Sequence, residues 1–129
     1  MRYLGVDYGR KRIGLAIGQK GLAAPLAVYP LDRNIYSNIK KICDEEAINE
    51  VVLGISSSLE KEIKIFGQKL KESLDLPVVL QDETLTTVEA IGRMIVSSTK
   101  KKSRRKKNDA VAAAQILVSY FTRAKNLNG

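Results

Sequence analysis

The first thirty residues alternate between short apolar runs and turns in a pattern that predicts three antiparallel strands. An apolar run from Tyr3 to Val6 ends in Asp7, a turn rich in glycine and basic residues follows, and residues 12–18 resume the apolar pattern. Two apolar runs around a short turn are typical of a β-hairpin. The run from Leu26 to Tyr29, after a predicted turn of Gly, Ala and Pro, completes a three-strand meander.

After residue 34 the pattern changes to helices that alternate with buried strands. Apolar residues recur at helical spacing from Ile35 to Ala47, with Asn34 as the predicted N-cap. The continuous apolar run at 51–55 is typical of a buried parallel strand. A second amphipathic helix is predicted from Leu59 to Leu74, followed by a fifth strand at 77–81.

The last third of the chain combines two predicted helices with a strongly basic segment. Thr86 and Glu89 form a capping-box pair, which predicts a helix that runs to about Val96. Residues 97–107 contain no periodic apolar signal, and we expect a mobile loop there. Asn108 is the predicted cap of a final helix. The apolar face of that helix contains Ala110, Ala114, Leu117 and Phe121.

This order of elements predicts an α/β fold, with a mixed five-stranded sheet and helices on both faces. Three antiparallel strands lead into helix-connected parallel strands, and right-handed crossovers pack their helices back on the sheet. The topology is that of the ribonuclease H-like fold. Because the chain has 129 residues and neither a linker nor an internal repeat, we expect residues 1–129 to form a single domain.

The composition narrows the chemistry that the chain can perform. It contains no histidine and a single cysteine, Cys43, which excludes a Cys/His zinc site, an intrachain disulfide and nucleophile pairs that use histidine. No apolar run approaches the roughly 20 residues of a membrane span, and no signal-peptide pattern is present. We therefore expect a cytoplasmic protein with no membrane partner, whose chemistry uses carboxylates, lysines or hydroxyls.

The formal net charge of +8 is concentrated in one short segment. Seven of the eight residues at 100–107 are basic, and their mutual repulsion favours a polyanionic partner over a solvated segment that only improves solubility. A smaller basic cluster follows the first predicted strand. We expect nucleic acid to be bound by these two clusters. Their members are Arg10, Lys11, Arg12, Lys100, Lys101, Lys102, Arg104, Arg105, Lys106 and Lys107.

Three places with isolated carboxylates are candidates for chemistry. Asp7 ends the first strand between two glycines, which favours the approach of a ligand, although an aspartate there can also satisfy turn amides. Asp82 and Glu83 end the fifth strand on opposite faces, so only one of them can face a shared site. Asp109 lies in the first turn of the last predicted helix, where a carboxylate also interacts favourably with the helix dipole.

Carboxylates alone can support phosphodiester cleavage. Two divalent ions about 3.5 to 4 Å apart can activate water and stabilise the leaving oxygen. Mg²⁺ prefers oxygen ligands and needs few protein groups beside the substrate phosphate. Three carboxylates in a histidine-free, nucleic-acid-binding chain therefore predict Mg²⁺ or Mn²⁺ as the cofactor.

Three motifs resemble, in order and spacing, the signatures of the YqgF/RuvX family. They are Gly5-Val6-Asp7-Tyr8-Gly9-Arg10-Lys11-Arg12-Ile13-Gly14-Leu15-Ala16, Asp82-Glu83-x-Leu85-Thr86-Thr87 and Asn108-Asp109-x-x-Ala112-Ala113-x-x-Ile116-Leu117. The family has the ribonuclease H fold, and its members are described as Holliday junction resolvases or pre-16S ribosomal RNA nucleases. The resemblance covers essentially the whole chain. It implies that Asp7, Glu83 and Asp109 are the catalytic and metal-binding residues, and it selects Glu83 over Asp82.

The chain departs from the family pattern at two places. Thr84 occupies a position where the family usually has arginine, so one positive charge near the expected site is missing. Residues 55–62 contain neither the proline nor the glycine that the family tends to have in the corresponding loop. Both departures concern the positioning of the substrate rather than the three carboxylates.

These observations lead to one main hypothesis and one alternative. The main hypothesis is a metal-dependent endonuclease that hydrolyses phosphodiester bonds of structured nucleic acid, either at the 5′ end of pre-16S rRNA or in a Holliday junction. The alternative is a non-catalytic RNA- or protein-binding module of the same fold. An actin-like ATPase, which the glycines after Asp7 also suggest, would need a second domain. The sequence does not distinguish RNA from DNA as the substrate, or a monomer from a homodimer as the oligomeric state.

Overall fold

The computed structural model describes residues 1–82 and 104–128, and side chains within them at 1–82 and 108–123. The strands are β1 (Arg2–Tyr8), β2 (Arg12–Gln19), β3 (Leu22–Pro30), β4 (Glu50–Ile55) and β5 (Val78–Asp82). The helices are α1 (Ile35–Glu45), α2 (Glu60–Leu74) and α3 (Arg104–Asn128), with a 3₁₀ turn at Ser57–Leu59 before α2.

These strands form a mixed sheet in the order β3-β2-β1-β4-β5. The β1–β2 and β2–β3 pairs are antiparallel, whereas the β1–β4 and β4–β5 pairs are parallel. The carboxyl ends of β1, β4 and β5 therefore meet at one edge of the sheet, which is where ligands bind in open α/β sheets. The mixed sheet predicted from the sequence is confirmed.

Each face of the sheet is covered by helix. On one face, α1 and α2 pack against alternate residues of the central strands, among them Leu4, Val6 and Leu53. On the other face, α3 packs against Ala16 and Val52. Burial of each large apolar side chain stabilises this arrangement by roughly 1.5 to 3 kcal/mol. The predicted placement of helices on both faces is confirmed.

Helix α3 lies unusually close to the sheet because glycines face it. A Cβ atom built on Gly5 of β1 would lie 2.6 Å from the carbonyl oxygen of Ala113 in α3. The predicted apolar face of α3 is confirmed, since Ala110, Ala114 and Leu117 are buried and Phe121 packs against the same cluster. This close packing fixes the position of α3 relative to β1 and β2.

Two predicted boundaries in the first half of the chain are wrong. Pro25, which was expected in a turn, lies within β3. An edge strand tolerates proline, and the register shift between Leu15 and Ala16 of the neighbouring β2 occurs opposite this point. Helix α1 ends at Glu45, and Ala47, which was expected on its apolar face, has a φ of 52°. Asn34 does occupy the N-cap position of α1, but its side chain makes no capping hydrogen bond.

The predicted start of the last helix is also wrong. α3 begins at Arg104 rather than after Asn108, so residues 104–107 are helical where a mobile loop was expected. Arginine and lysine are good helix formers, and the buried residues from Ala110 onward anchor the helix so that its first turn needs no apolar residue. The rest of the expected loop, at 97–103, and the helix expected from Thr86 to Val96 lie outside the described residues. Within 1–82 and 104–128, none of the helices combines the length and the apolar character of a membrane span.

Candidate active site

Asp7 lies near the carboxyl end of β1 on the face that α3 covers. Side chains alternate along a strand, and the neighbours of Asp7 on the same face contact α3. The ring of Tyr3 lies 5.1 Å from that of Phe121, measured between centroids, and Gly5 lies against Ala113. Asp7 itself is partly exposed at this end of the strand.

Asp109 of α3 packs on the sheet next to the position of Asp7. Asp7 of β1 pairs with Gly14 of β2, and a Cβ atom on Gly14 would overlap the backbone carbonyl oxygen of Asp109. The helix begins at Arg104, so Asp109 lies in its second turn rather than in the first turn that the sequence predicted. The fold thus brings together two of the three predicted carboxylate positions, which are about a hundred residues apart in sequence.

The carboxylate of Asp109 forms an ion pair with Arg12. The Nε atom of Arg12 donates a hydrogen bond of 3.0 Å to Oδ2 of Asp109. Arg12 and Gly14 lie on the same face of β2, which is why the guanidinium reaches the helix. The side chains are 63% and 31% exposed, so the pair contributes little to stability and is open to solvent and ligands.

Arg10, two residues earlier, pairs with a different helix. Its guanidinium donates two hydrogen bonds, of 3.4 and 3.1 Å, to the carboxylate oxygens of Glu62 in the first turn of α2. The hydrogen bond to Glu62 raises the pKa of Arg10 above its ordinary value. Glu62 belongs to the segment that departs from the family pattern, and this segment therefore holds one side of the β1–β2 turn. Lys11, between the two arginines, is exposed.

Tyr8, the residue after Asp7 in β1, lies on the opposite face of the sheet, beside α2. Its ring packs against Phe66 of α2, with 5.1 Å between the ring centroids. Burial, followed by the negative charge of Glu62, raises the pKa of Tyr8 above 10.0. The ring of Tyr8 contributes to the packing of α2 against the sheet.

The end of β5 places Gln81 and Asp82 on opposite faces. Gln81 pairs with Gly54 of β4, and Gly54 faces Ile116 of α3, so Gln81 lies on the α3 face. Its side chain is only 4% exposed, and its Nε2 donates a hydrogen bond of 3.1 Å to the carbonyl oxygen of Asp82. Gln81 is the last residue of the fifth strand predicted at 77–81, and the sequence alone assigns it no role. Gln81 and Val79 are two residues apart in β5 and therefore lie on the same face of the strand. Because Val79 packs against the α3 cluster, this alternation indicates that Gln81 faces α3.

Asp82 does not share the face of Asp7. Leu80, two residues earlier in β5, lies beside Gly67 of α2, and alternation places Asp82 on that same side. This arrangement agrees with the choice of Glu83 over Asp82, but Glu83 itself lies outside the described residues. In the described part of the chain, no three acidic or cysteine side chains are grouped closely enough to hold a metal ion.

Seven of the ten basic residues predicted to bind nucleic acid lie in the described part of the chain, near the same end of the sheet. Arg10, Lys11 and Arg12 are exposed in the β1–β2 turn and at the start of β2. Residues 104–107 form the first turn of α3, which leads directly to Asp109. Lys100, Lys101 and Lys102 lie outside the described residues. The described parts of the two clusters, residues 10–12 and 104–107, are therefore both near the backbone positions of Asp7 and Asp109.

Comparison with known sequences identifies relatives over the full length. The family model of RuvX, described as Holliday junction resolvase, matches residues 1–123. A protein of Halothermothrix orenii named "Putative pre-16S rRNA nuclease" is 32% identical over 140 residues, which cover 100% of both chains. A protein of the same name from Caldanaerobacter subterraneus is 35% identical over 140 residues, covering 98% of this chain and 99% of the relative.

Solved structures share the same architecture. RuvC of T. thermophilus, solved in complex with a Holliday junction substrate, aligns with a TM-score of 0.64 at 16% identity. The alignment covers 97% of this chain and 96% of that one. The fowlpox virus resolvase, solved with Holliday junction DNA, gives a TM-score of 0.63 at 15% identity, with 96% and 99% coverage. These likenesses show that the chain has the ribonuclease H-like fold of the two resolvases.

Proposed function

Since the chain belongs to the RuvX family of Holliday junction resolvases, we propose that it is a nuclease that hydrolyses phosphodiester bonds of structured nucleic acid. The observation that carries this proposal is the convergence of Asp7 and Asp109 on one face of the sheet, at the carboxyl end of β1. A non-catalytic binding module would not need two acidic residues beside its phosphate-binding surface, because they repel the ligand.

The proposed cofactor is Mg²⁺ or Mn²⁺, held by Asp7 and Asp109 together with Glu83. The described residues fit such an ion, because carboxylate oxygens are the donors it prefers and Asp109 already accepts a cationic partner, Arg12. When bound, divalent ions supply activation of water and stabilisation of the leaving oxygen. The chain's own contribution is to hold the carboxylates in place. Asp7 extends from a buried strand, and the backbone of Asp109 is packed on Gly14.

The basic residues of the two clusters are proposed to hold the nucleic-acid backbone. The first turn of α3 carries four of them immediately before Asp109, and Lys11 is exposed in the neighbouring turn. Charged side chains that contact phosphates fix the position of a substrate without reading its sequence. This arrangement supports recognition of shape and backbone rather than of individual bases.

Two substrates are supported by separate observations. Relatives that match over their full length carry the name of a pre-16S rRNA nuclease, whereas the family description is that of a Holliday junction resolvase. Both substrates are structured nucleic acids of the cytoplasm, where we propose that the protein acts. Symmetric cleavage of a junction would require a homodimer, and cleavage of rRNA would be possible for a monomer.

One experiment tests the activity and separates the two substrates. Purified protein is incubated with labelled rRNA precursor or with a synthetic four-way junction, in Mg²⁺, Mn²⁺ or EDTA. We expect metal-dependent cleavage of one substrate by the wild type, loss of cleavage in Asp7→Asn, and retention in Asp82→Asn, whose carboxylate lies on the other face. Binding of both substrates without cleavage in either metal would instead support the non-catalytic binding module.

A further inference from the structure

The ion pair between Arg12 and Asp109 joins parts of the chain 97 residues apart, within the site proposed to hold the metal. Its geometry follows from the fold: Gly14 brings the backbone of Asp109 onto β2, and Arg12 lies two residues before Gly14 on the same face. The guanidinium is always charged and acts only as a donor. In the protein without metal, it therefore compensates the charge of one proposed metal ligand.

We propose that Arg12 and a divalent cation exchange places on Asp109, so that metal binding releases the Arg12 guanidinium to bind a phosphate of the nucleic acid. This inference rests on the proposed function, because it assigns Asp109 to the metal site. It gives Arg12 a positioning role that differs from that of the other basic residues.

Because the pair is exposed to solvent, little free energy is needed to break it. Arg12 is 63% exposed, and solvent-exposed ion pairs contribute only about 0 to 1 kcal/mol to stability. A released guanidinium can bind phosphate with two parallel hydrogen bonds. By linkage, a metal ion that frees Arg12 strengthens nucleic-acid binding, and nucleic acid that captures Arg12 strengthens metal binding by the same factor.

Arg10 provides a matched control from the same turn. It is the same residue type, it is similarly exposed, and it pairs with Glu62 of α2 instead of with Asp109. Arg10→Gln and Arg12→Gln therefore remove the same charge from almost the same place. A general effect of charge on the metal affinity would be similar in both variants, whereas competition for Asp109 affects only one of them.

The test is a titration of the free protein with Mn²⁺, followed by electron paramagnetic resonance of the unbound ion, with no nucleic acid present. We expect Arg12→Gln to bind Mn²⁺ about three- to fivefold more tightly than the wild type, which is within the range that an exposed ion pair can supply. Arg10→Gln should change the affinity by less than about twofold. Arg12→Lys, which keeps a positive charge beside Asp109, should tighten Mn²⁺ binding less than Arg12→Gln does.

A double-mutant cycle assigns the effect to Asp109. Asp109→Asn weakens Mn²⁺ binding because it removes a ligand, and in this background the weakened affinity should be the same with and without Arg12→Gln, because the competing pair is already absent. Circular dichroism and the melting temperature verify that each variant is folded. In a separate NMR titration with Mg²⁺, the Nε–H proton of Arg12 should lose its protection from solvent exchange as the site fills.

The outcomes distinguish this inference from the proposed function. If the wild type and Arg12→Gln both fail to bind Mn²⁺, the metal-dependent function is wrong, and the exchange is wrong with it. If both bind Mn²⁺ with equal affinity, the metal site stands and the exchange is overturned. An equal gain of affinity in Arg10→Gln and Arg12→Gln also overturns it, since the cause would then be net charge.

Discussion

Gly14 of β2 lies directly beneath the backbone carbonyl of Asp109, and it is also the cross-strand partner of Asp7. A side chain at this position would occupy space that the second turn of α3 now fills. The absence of a Cβ atom at residue 14 is therefore what allows the Asp109 position to approach Asp7. The distance between the two carboxylates is set by backbone packing rather than by the side chains alone.

We expect Gly14→Ala to displace the start of α3 and to weaken binding of Mn²⁺. Overpacking of this kind costs about 1 to 3 kcal/mol, which calorimetry or denaturant unfolding will detect. Gly18→Ala is the matched control, because it lies on the same face of β2 but meets the side chains of Phe121 and Leu117. Both variants should be destabilised, and only Gly14→Ala should lose metal affinity. Equal metal affinity in the two variants would show that Gly14 does not position Asp109.

Asp7→Asn should reduce the stabilisation that the wild type gains from Mg²⁺ or Mn²⁺. A ligand that binds only the folded state at ten times its Kd stabilises a protein by about 1.4 kcal/mol, a shift of roughly 3 to 8 °C in Tm at this size. We expect less than half of that shift in Asp7→Asn, and the full shift in Asp82→Asn. Differential scanning fluorimetry measures both. Equal shifts in Asp7→Asn and in the wild type would remove Asp7 from the metal site.

The sequence was sufficient to predict the sheet and its helices because their apolar patterns are strong. The β1–β2 hairpin, the buried run of β4 and the apolar face of α3 each follow from local periodicity. The misplaced boundaries involve residues whose local preference is overridden by their context. Pro25 is tolerated at an edge strand, and the first turn of α3 is helical although it carries no apolar residue.

The site was only partly predictable, because it depends on contacts between distant residues. Asp7 and Asp109 were candidates from their positions at the ends of elements, but only the packing of α3 on Gly14 places them on the same face. Arg12 was assigned to nucleic-acid binding from its charge alone. Its pairing with Asp109, and the separate pairing of Arg10 with Glu62, could not be derived from a cluster of three consecutive basic residues.

The buried thiol of Cys43 should give the protein an alkaline dependence of stability. Burial, followed by the negative charge of Asp44, raises the pKa of Cys43 from 9.0 to about 11. The folded state thus favours the neutral thiol, so its contribution to stability is complete below pH 9 and is lost as the pH rises toward 11. The loss can reach about 2 to 3 kcal/mol. The free energy of unfolding, measured with urea between pH 8 and 11, should fall more steeply with pH in the wild type than in Cys43→Ala. The variant retains the same tyrosines and is therefore the matched control.

Asp109→Asn should abolish cleavage and leave nucleic-acid affinity unchanged or slightly higher. The substitution removes a negative charge beside the phosphate and frees Arg12, while the basic first turn of α3 remains. Cleavage assays together with fluorescence anisotropy in EDTA separate the two effects. Full cleavage by the variant would mean that Asp109 serves only to pair with Arg12.

The basic residues at 100–107 should determine the salt dependence of nucleic-acid binding. Each phosphate that a protein cation neutralises releases about 0.7 to 0.9 counterion, so the affinity falls steeply with salt. Replacing Lys101, Arg104 and Arg105 by alanine should reduce the slope of log affinity against log salt concentration by up to about three contacts. Alanine is the best helix former, so α3 should remain folded.

The matched control for this triple variant removes three lysines from the helices on the opposite face. Lys40, Lys69 and Lys71 are exposed on α1 and α2, and their replacement by alanine changes the net charge equally. We expect the control to retain the wild-type slope in anisotropy titrations from 50 to about 300 mM salt, since phosphate contacts and not total charge set it. A wild-type slope in the Lys101, Arg104 and Arg105 variant would contradict the assignment, and the binding surface would then be Arg10, Lys11 and Arg12.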